Sequence, residues 1–509
     1  MKKIYFITLL TYTFFSQVNA QEPADALRYS WLSPSGSARQ QAIGGAMGSL
    51  GGDISSAHVN PAGIAFFKNP ELVITPGFLL KKNKSTYLGT TTNNANNNFN
   101  YGISGIIFSN PGSGYRPDKK NTSVSITINK MADFNSNMTY RGANNQSSYS
   151  QKFLEEIRNN NITNPNLVAN NFPNGTSLAF NTYWIDTASG GNGQPYTFKS
   201  RSPLSTGLLQ QNDISSSGSM SELAIAVATN YADKFYIGGS LGIPIINYSR
   251  ESTFLEADAT TNPNNNFDYA SIKETLQTKG AGLNLKLGVI FKPTEYIRVG
   301  LSIHSPSIMV MTDNYSTTVI TDTEGYRGRL NQKSEQSLQY QLVNPYRFIV
   351  SASYVLRETK DVKKQKGFIT ADIEFVNYKA ASFSQDANVE NDPSLKSYLK
   401  LLNQAIDNEQ KAALNMRLGG ELKFNTLMVR LGTAFYGNPY KDIYGLKGNR
   451  FFVSGGLGYR NKGMFIDLCY VHQMNKDSQL PYRLQYSPSP KANFNDRNGN
   501  ILLTFGFKI

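Results

Sequence analysis

The sequence predicts an all-β membrane protein, an antiparallel outer-membrane β-barrel of about 14 strands with an N-terminal plug (hatch). Three observations predict it. An export leader opens the chain. Period-2 alternation of apolar with small or polar residues then recurs as far as an aromatic-rich last strand. No stretch after the leader approaches the ~18 consecutive apolar residues that would mark a membrane-spanning helix.

In chain order, Met1-Lys2-Lys3 is a charged start, Ile4–Phe15 an apolar run, and Ser16-Gln17-Val18-Asn19-Ala20 a small-residue cleavage region. Residues 1–20 are expected to be a signal peptide, cleaved after Ala20. The apolar run is too short to cross a bilayer as a helix.

Residues 21–69 are expected to form the plug. Its segment Ala42–Phe67 is rich in glycine and contains Asn60-Pro61-Ala62-Gly63. Glycine lets a backbone thread a confined space and adopt positive φ. Pro61 fixes its own φ and pushes Asn60 toward an extended shape. A Gly-rich periplasmic turn without a role in transport is the alternative for these residues. Arg28, Tyr29 and Trp31, near the start, and His58, two residues before the motif, are candidates for a ligand path. A packing anchor is the alternative for Trp31, and a haem-iron ligand a further option for His58.

The run Gly44-Gly45-Ala46, then Gly52-Asp53, then Asn60-Pro61-Ala62-Gly63 resembles the N-terminal hatch of the FadL/TodX outer-membrane transporters of hydrophobic compounds. The NPA motif of that family matches Asn60, Pro61 and Ala62. Beyond the hatch, the resemblance extends to strand number and to a plug placed ahead of the barrel. It implies that Asn60, Pro61, Ala62, Gly63, Gly44, Gly45, Gly52 and Asp53 form a gating hatch, and that ligand leaves laterally through a kinked wall.

Residues 70–509 are expected to form the barrel, with strands near 70–88, 98–110, 122–142, 218–232, 235–257, 267–293, 296–321, 334–357, 366–384, 412–425, 427–438, 450–460, 464–482 and 493–509. Phe235, Ile237, Leu241 and Ile243 alternate with Tyr236, Gly238, Ser240 and Gly242. Ile297, Val299, Leu301 and Ile303 alternate with Arg298, Gly300, Ser302 and His304. Such strands suit a soluble sandwich or a lipid-facing barrel. The leader, the C-terminal strand, and polar faces that mix glycine with charge favour the barrel.

Even-numbered connections are expected to be short and periplasmic, such as Ala232-Asp233-Lys234 and Asn425-Thr426, with 111–121 and 358–365 somewhat longer. Odd-numbered ones are expected to be external and long, such as 143–217, 385–411 and 439–449. Helical patches are expected in the external loops near 149–160 and 393–414, the second with Leu395, Leu399, Leu402, Ile406 and Leu414 on one face. The Asn-rich stretches 93–100 and 159–175 read as exposed turns or mobile loop. Pro76, Pro244 and Pro306 each remove a ladder hydrogen bond, so each is a candidate wall kink or a strand end near the rim.

The formal charge of +14 is scattered, which suits solvated loops and a polar lumen rather than nucleic acid. Cys469 is the single cysteine, so no internal disulfide forms. No zinc spacing, phosphate loop or dinucleotide fingerprint is present. His304 shares a face with Ser302 but has no visible carboxylate partner, which argues against a barrel hydrolase. His472 is expected on the apolar face near a strand end.

Together these readings lead to the expectation of a monomeric outer-membrane barrel of a Gram-negative bacterium. It would admit hydrophobic small molecules, long-chain fatty acid-like or aromatic, by passive diffusion. No enzymatic activity, metal or cofactor is expected. The expected partners are the ligand, outer-membrane lipid and the barrel assembly machinery, and no nucleic acid. An adhesion or binding barrel acting through its long loops is the first alternative, and a barrel hydrolase the second.

Overall fold

A computed structural model describes residues 23–32, 34–111, 119–260, 262–356, 366–387, 390–441 and 448–509. The expected signal peptide lies outside them, as do most of the connections expected at 111–121 and 358–365.

Fourteen antiparallel strands close into a barrel. They are β1 (Glu71–Ile74 and Pro76–Tyr87), β2 (Thr90–Tyr101 and Ser104–Pro111), β3 (Lys119–Asp133 and Ser136–Asn144), β4 (Leu208–Tyr231), β5 (Phe235–Asp258), β6 (Tyr269–Phe291) and β7 (Ile297–His304 and Ile308–Asp322). The rest are β8 (Arg329–Val343 and Arg347–Leu356), β9 (Gly367–Asn377 and Ser382–Gln385), β10 (Ala412–Phe424), β11 (Leu427–Tyr436), β12 (Arg450–Asn461), β13 (Met464–Gln479) and β14 (Ala492–Lys508). The last strand returns to the first, with Glu71 opposite Lys508 and Ile74 opposite Phe505.

The apolar faces look outward. On β5, Phe235, Ile237, Leu241 and Ile245 are exposed while Tyr236 and Ser240 are buried. On β11, Leu431 is 70% exposed while Arg430 is 1% exposed. A continuous apolar exterior with ion pairs inside is the reverse of a soluble core, and marks a lipid-facing wall. On β5 the apolar outward run ends at Ile245, and Asn247 and Glu251 follow on the same face. That run matches the ~9–11 residues a tilted strand needs to cross a bilayer. The remainder of this 24-residue strand therefore stands above the membrane. Aromatic pairs mark the band's lower rim: Phe235 stacks on Phe291 at 4.7 Å, and Tyr296 packs on Tyr354 at 5.5 Å.

The outer connections differ in part from expectation. The first, Leu88–Gly89, is a two-residue turn rather than a long loop. The Asn-rich stretch 93–100 lies inside β2, because pairing with β1 from Pro76↔Tyr101 to Tyr87↔Thr90 satisfies its backbone and overrides its low strand propensity. β4 starts at Leu208, ten residues before expectation, because Ser136–Asn144 supplies a partner for its outer half. Within 143–217 lie the helices Ser150–Asn159, Pro165–Asn171 and Thr176–Asn181, and a hairpin of Ile185–Gly191 with Gln194–Ser200. The stretch 159–175 is thus partly helical, with Asn164 capping the helix Pro165–Asn171 by accepting from Asn166 N at 2.9 Å. These elements share an apolar core with Tyr149, Phe153, Trp184, Phe254 and Tyr482.

The second external helix (Pro393–Glu409) buries Leu395, Leu399, Leu402 and Ile406, as the spacing predicts. It stops before Leu414, which belongs to β10 and points outward, because Ala412–Phe424 pairs with β9.

Candidate functional site

Residues 23–32 and 34–67 occupy the lumen. Helix Pro23–Ser30 lies in its outer half, where Ala26 and Tyr29 pack among Met131, Met220, Met309 and Met311. The external helix covers this cluster with Leu395, Leu399, Leu402 and Ile406. Methionine-rich packing adapts easily to a change of occupant. Tyr29 meets Phe134 and Tyr248 edge-on at 5.9 and 6.3 Å, and its carbonyl accepts from Asn344 Nδ2 at 2.7 Å. Arg28 is ion-paired to Asp25 and sits 4.5 Å over the Tyr248 ring. Trp31 lies under the guanidinium of Arg450 at 3.3 Å.

The glycine-rich segment follows. Gly44 has φ +68°, and a Cβ there would meet the Thr433 carbonyl oxygen of β11 at 2.5 Å, so only glycine fits. Asp53 ties the turn together: Ser37 Oγ donates to both its oxygens at 2.9 Å, and Ser55 N donates at 2.9 Å. Gly52 N donates to Gly63 O at 3.0 Å and brings the two ends of the loop together.

Asn60 is extended (φ −142°, ψ 99°), as the residue before a proline should be, and its side chain caps the short 3-10 helix Pro61–Phe66. Its amide nitrogen donates to Gly48 O at 2.6 Å within the plug. It also reaches two wall carbonyls, Val289 O at 3.2 Å and Leu301 O at 3.3 Å. The motif rests on inward glycines of three adjacent strands. A Cβ on Gly238 would meet the Pro61 carbonyl carbon at 2.6 Å, one on Gly288 would overlap Asn60 Oδ1, and one on Gly300 would overlap Gly48 O. Sequence reasoning noted glycines on the inward faces but did not assign them to this docking.

Charged wall residues hold the plug by its backbone. Asp372 accepts from Met47 N and Gly48 N, each at 3.0 Å. Arg298 donates to Leu50 O at 2.6 Å, and His304 Nε2 donates to Val59 O at 2.8 Å. Arg39 runs the other way, from plug to wall, and meets Glu421 at 3.4 Å. His58 bonds Glu222 Oε1 at 2.8 Å and Thr127 Oγ1 at 2.9 Å. Both its ring nitrogens are thereby taken, which removes the option of a haem-iron ligand. Lys286 joins the same Glu222 oxygen at 2.5 Å. His58 and His304, distant in sequence, border one cavity of about 80 Å³. Ser302 Oγ donates to Leu287 O at 3.1 Å, so its hydroxyl is not directed at His304. His472 lies on the outer face, 3.3 Å from Tyr470 OH.

The wall has one long lapse in pairing among the described residues. The β2–β3 ladder ends at Ser104↔Ile128. Above it, Thr90–Tyr101 pairs only with β1, and Ser136–Asn144 only with β4. Side chains bridge this seam: Ser85 Oγ and Asn94 Nδ2 donate to Thr139 O at 2.6 and 3.2 Å, and Lys81 meets Asp133 at 2.6 Å. The strand that departs is β3, at Phe134-Asn135. The candidate prolines lie elsewhere. Pro76 follows the break at Thr75, and Pro306 separates the halves of β7. Pro244 sits inside unbroken β5, where pairing with β6 skips from Gly242 to Ile245. A cavity of about 290 Å³ lies along the seam, between Asn94, Asn96 and Tyr101 on one edge and Lys130, Asp133 and Asn137 on the other.

A plugged, fourteen-stranded barrel with an interrupted wall defines the class. Its fold is that of the FadL-type transporters. A crystal structure of a Pseudomonas aeruginosa FadL homologue matches at TM-score 0.55 and 13% identity, covering 94% of this chain and 99% of the other. The P. putida toluene transporter TodX matches at TM-score 0.52 and 12% identity, covering 94% and 99%. No protein-family model and no curated protein sequence matches the chain.

Proposed function

We propose that this protein is an outer-membrane barrel of the FadL/TodX kind, through which hydrophobic small molecules enter passively. The observation that carries the reading is the pairing of a complete luminal plug with a wall seam beside it. Solute collected under the external helix would displace Pro23–Ser30 from its methionine-rich bed. Movement around Asn60-Pro61-Ala62 would open the path, and the seam between β2 and β3 would release solute sideways into the bilayer. The apolar exterior supports surrounding lipid. Placement in a Gram-negative outer membrane, folding by the barrel assembly machinery and a monomeric state belong to the same reading. Ser302 and His304 both spend their hydrogens on backbone carbonyls, which supports a non-enzymatic role.

The test is uptake of labelled toluene and labelled long-chain fatty acid by Gram-negative cells that lack their own carrier. Uptake should rise when this barrel is present, and a Pro61→Ala plug variant that still inserts should alter it. Unchanged uptake of both solutes with a correctly inserted barrel would refute transport. The external elements between β3 and β4 carry their own apolar core, which favours an adhesion barrel as the second reading. Deleting 149–200 should then abolish surface binding, while plug variants are silent.

A further inference from the structure

The cavity along the seam is polar, although the proposed cargo is greasy. Pro34, Ser35 and Gln41 of the plug floor it, and inward side chains of β1–β3 and β12–β14 wall it. Arg450 lines it, lies over the Trp31 ring, and makes no hydrogen bond or close ion pair among the described residues, the charges of Asp477 and Asp496 reaching it only from farther off. Of the three lining lysines, Lys81 and Lys130 are paired with Asp133. Three lining asparagines, Asn83, Asn100 and Asn475, each bury a side-chain oxygen that accepts no hydrogen bond. Asn100 itself is 7% exposed. The nitrogen of Asn83 donates to Asp496, and that of Asn100 to Asn500 Oδ1 at 3.2 Å, which leaves the oxygens as the open atoms.

These groups ask for two things at once. A secluded guanidinium in a lining that carries four cations (Lys81, Lys82, Lys130 and Arg450) against two carboxylates (Asp133 and Asp496) favours an anion. Open amide oxygens favour N–H or O–H donors. A bare carboxylate meets the first need only, because it has no hydrogen to give. A hydrocarbon meets neither.

We propose that this cavity binds the head of an acidic amphiphile that carries amide or hydroxyl donors beside its negative charge. Arg450 takes the anion, and Asn83, Asn100 and Asn475 take the donors. N-acylated amino acids are the simplest members of this class. The inference rests on the transport reading and narrows its cargo: the acyl tail lies along the seam toward Phe99, which is 67% exposed on the lipid side of β2.

Calorimetric titration of the whole barrel in lipid nanodiscs tests it with three soluble probes. N-octanoylglycine has charge and donor, octanoate charge alone, and 1-octanol a donor alone. N-octanoylglycine should bind at least about tenfold tighter than either of the others, as expected for a charge-assisted contact joined by hydrogen bonds. Arg450→Gln should remove that advantage, Arg450→Lys should restore part of it, and the heat-modifiable gel shift should show both variants as closed barrels. Equal affinity for the three probes, or undiminished N-octanoylglycine binding in Arg450→Gln, overturns the proposal. Toluene uptake by the same protein separates the two readings. Uptake without head-group preference sinks this inference alone, and head-group preference without uptake sinks transport alone.

Discussion

The side-chain oxygen of Asn60 occupies the space that a Cβ would take on Gly288. Plug and wall therefore meet with no wall side chain between them on β5 and β6, and at Gly238 the contact is with the main chain of Pro61 and Ala62. Adding one methyl group at either glycine should lift the motif without touching the lipid face. Gly238→Ala meets main-chain atoms, which do not rotate away, and overpacking of this kind costs about 1–3 kcal/mol. The expected result is a barrel that inserts normally but leaks. Planar-bilayer conductance and sensitivity to large antibiotics would report it, and wild-type conductance in both Gly238→Ala and Gly288→Ala would count against tight docking.

Asn60→Ala tests the same contact from the plug side. It withdraws the donor that serves Gly48 O, Val289 O and Leu301 O. Leaving buried acceptors unserved costs about 1–3 kcal/mol. Hydrogen exchange should quicken over residues 48–62 while β5 and β6 keep their protection. Unchanged exchange in the plug would show that the amide does not hold it.

These contacts explain what the sequence could and could not reveal. Outward alternation was legible strand by strand, because Phe235–Ile245 and Ile297–Ile303 carry their period locally. The bend at Asn60-Pro61 was legible for the same reason: proline acts on its neighbour. Docking onto Gly238, Gly288 and Gly300 was not, since those residues lie far along the chain and only closure of the barrel brings them under the plug. The Asn-rich stretch 93–100 misled because composition speaks for turns, whereas a complete ladder with β1 decides the backbone. Leu414 fitted a helical stripe by spacing, yet the ladder with β9 claims it. The contacts of Glu222 with His58 and Lys286, and of Asp372 with the plug backbone, likewise join residues remote from one another in the chain.

The external helix has a pH-dependent start. Asp392 caps it, accepting from Ser394 Oγ at 2.5 Å, Leu395 N at 3.3 Å and Ser394 N at 2.8 Å, and these hydrogen bonds, that of the Ser394 hydroxyl foremost, hold its carboxyl below the usual carboxylate range. A lowered folded-state pKa means that the cap's contribution is complete above the unfolded value and fades as pH falls through the lowered one. Exchange at Leu395–Leu399, corrected for its intrinsic pH dependence, should therefore speed up in acid, and Asp392→Ala should show the faster rate already at neutral pH. A pH-independent corrected rate in the wild type would remove the cap from the account.

The seam offers the most direct test of lateral release. Thr139 O of β3 is reached from β1 by Ser85 and from β2 by Asn94, so residues 94 and 139 face each other across the gap with no backbone ladder between them. Asn94→Cys with Thr139→Cys, joined by a short bis-maleimide, should pin the two edges together. The native Cys469 is 1% exposed and should not compete for the reagent. If solute leaves sideways here, cross-linking should cut uptake of a bulky fatty acid by about tenfold or more, equivalent to at least ~1.4 kcal/mol on the exit step. Toluene, being smaller, should be slowed less. A control pair placed across the intact β3–β4 ladder at Thr122 and Thr229, whose hydroxyls lie 3.3 Å apart, should leave both rates unchanged. Undiminished fatty-acid uptake through the cross-linked barrel would instead direct the exit down through the plug, and Gly238→Ala would then raise uptake where the seam lock failed to lower it.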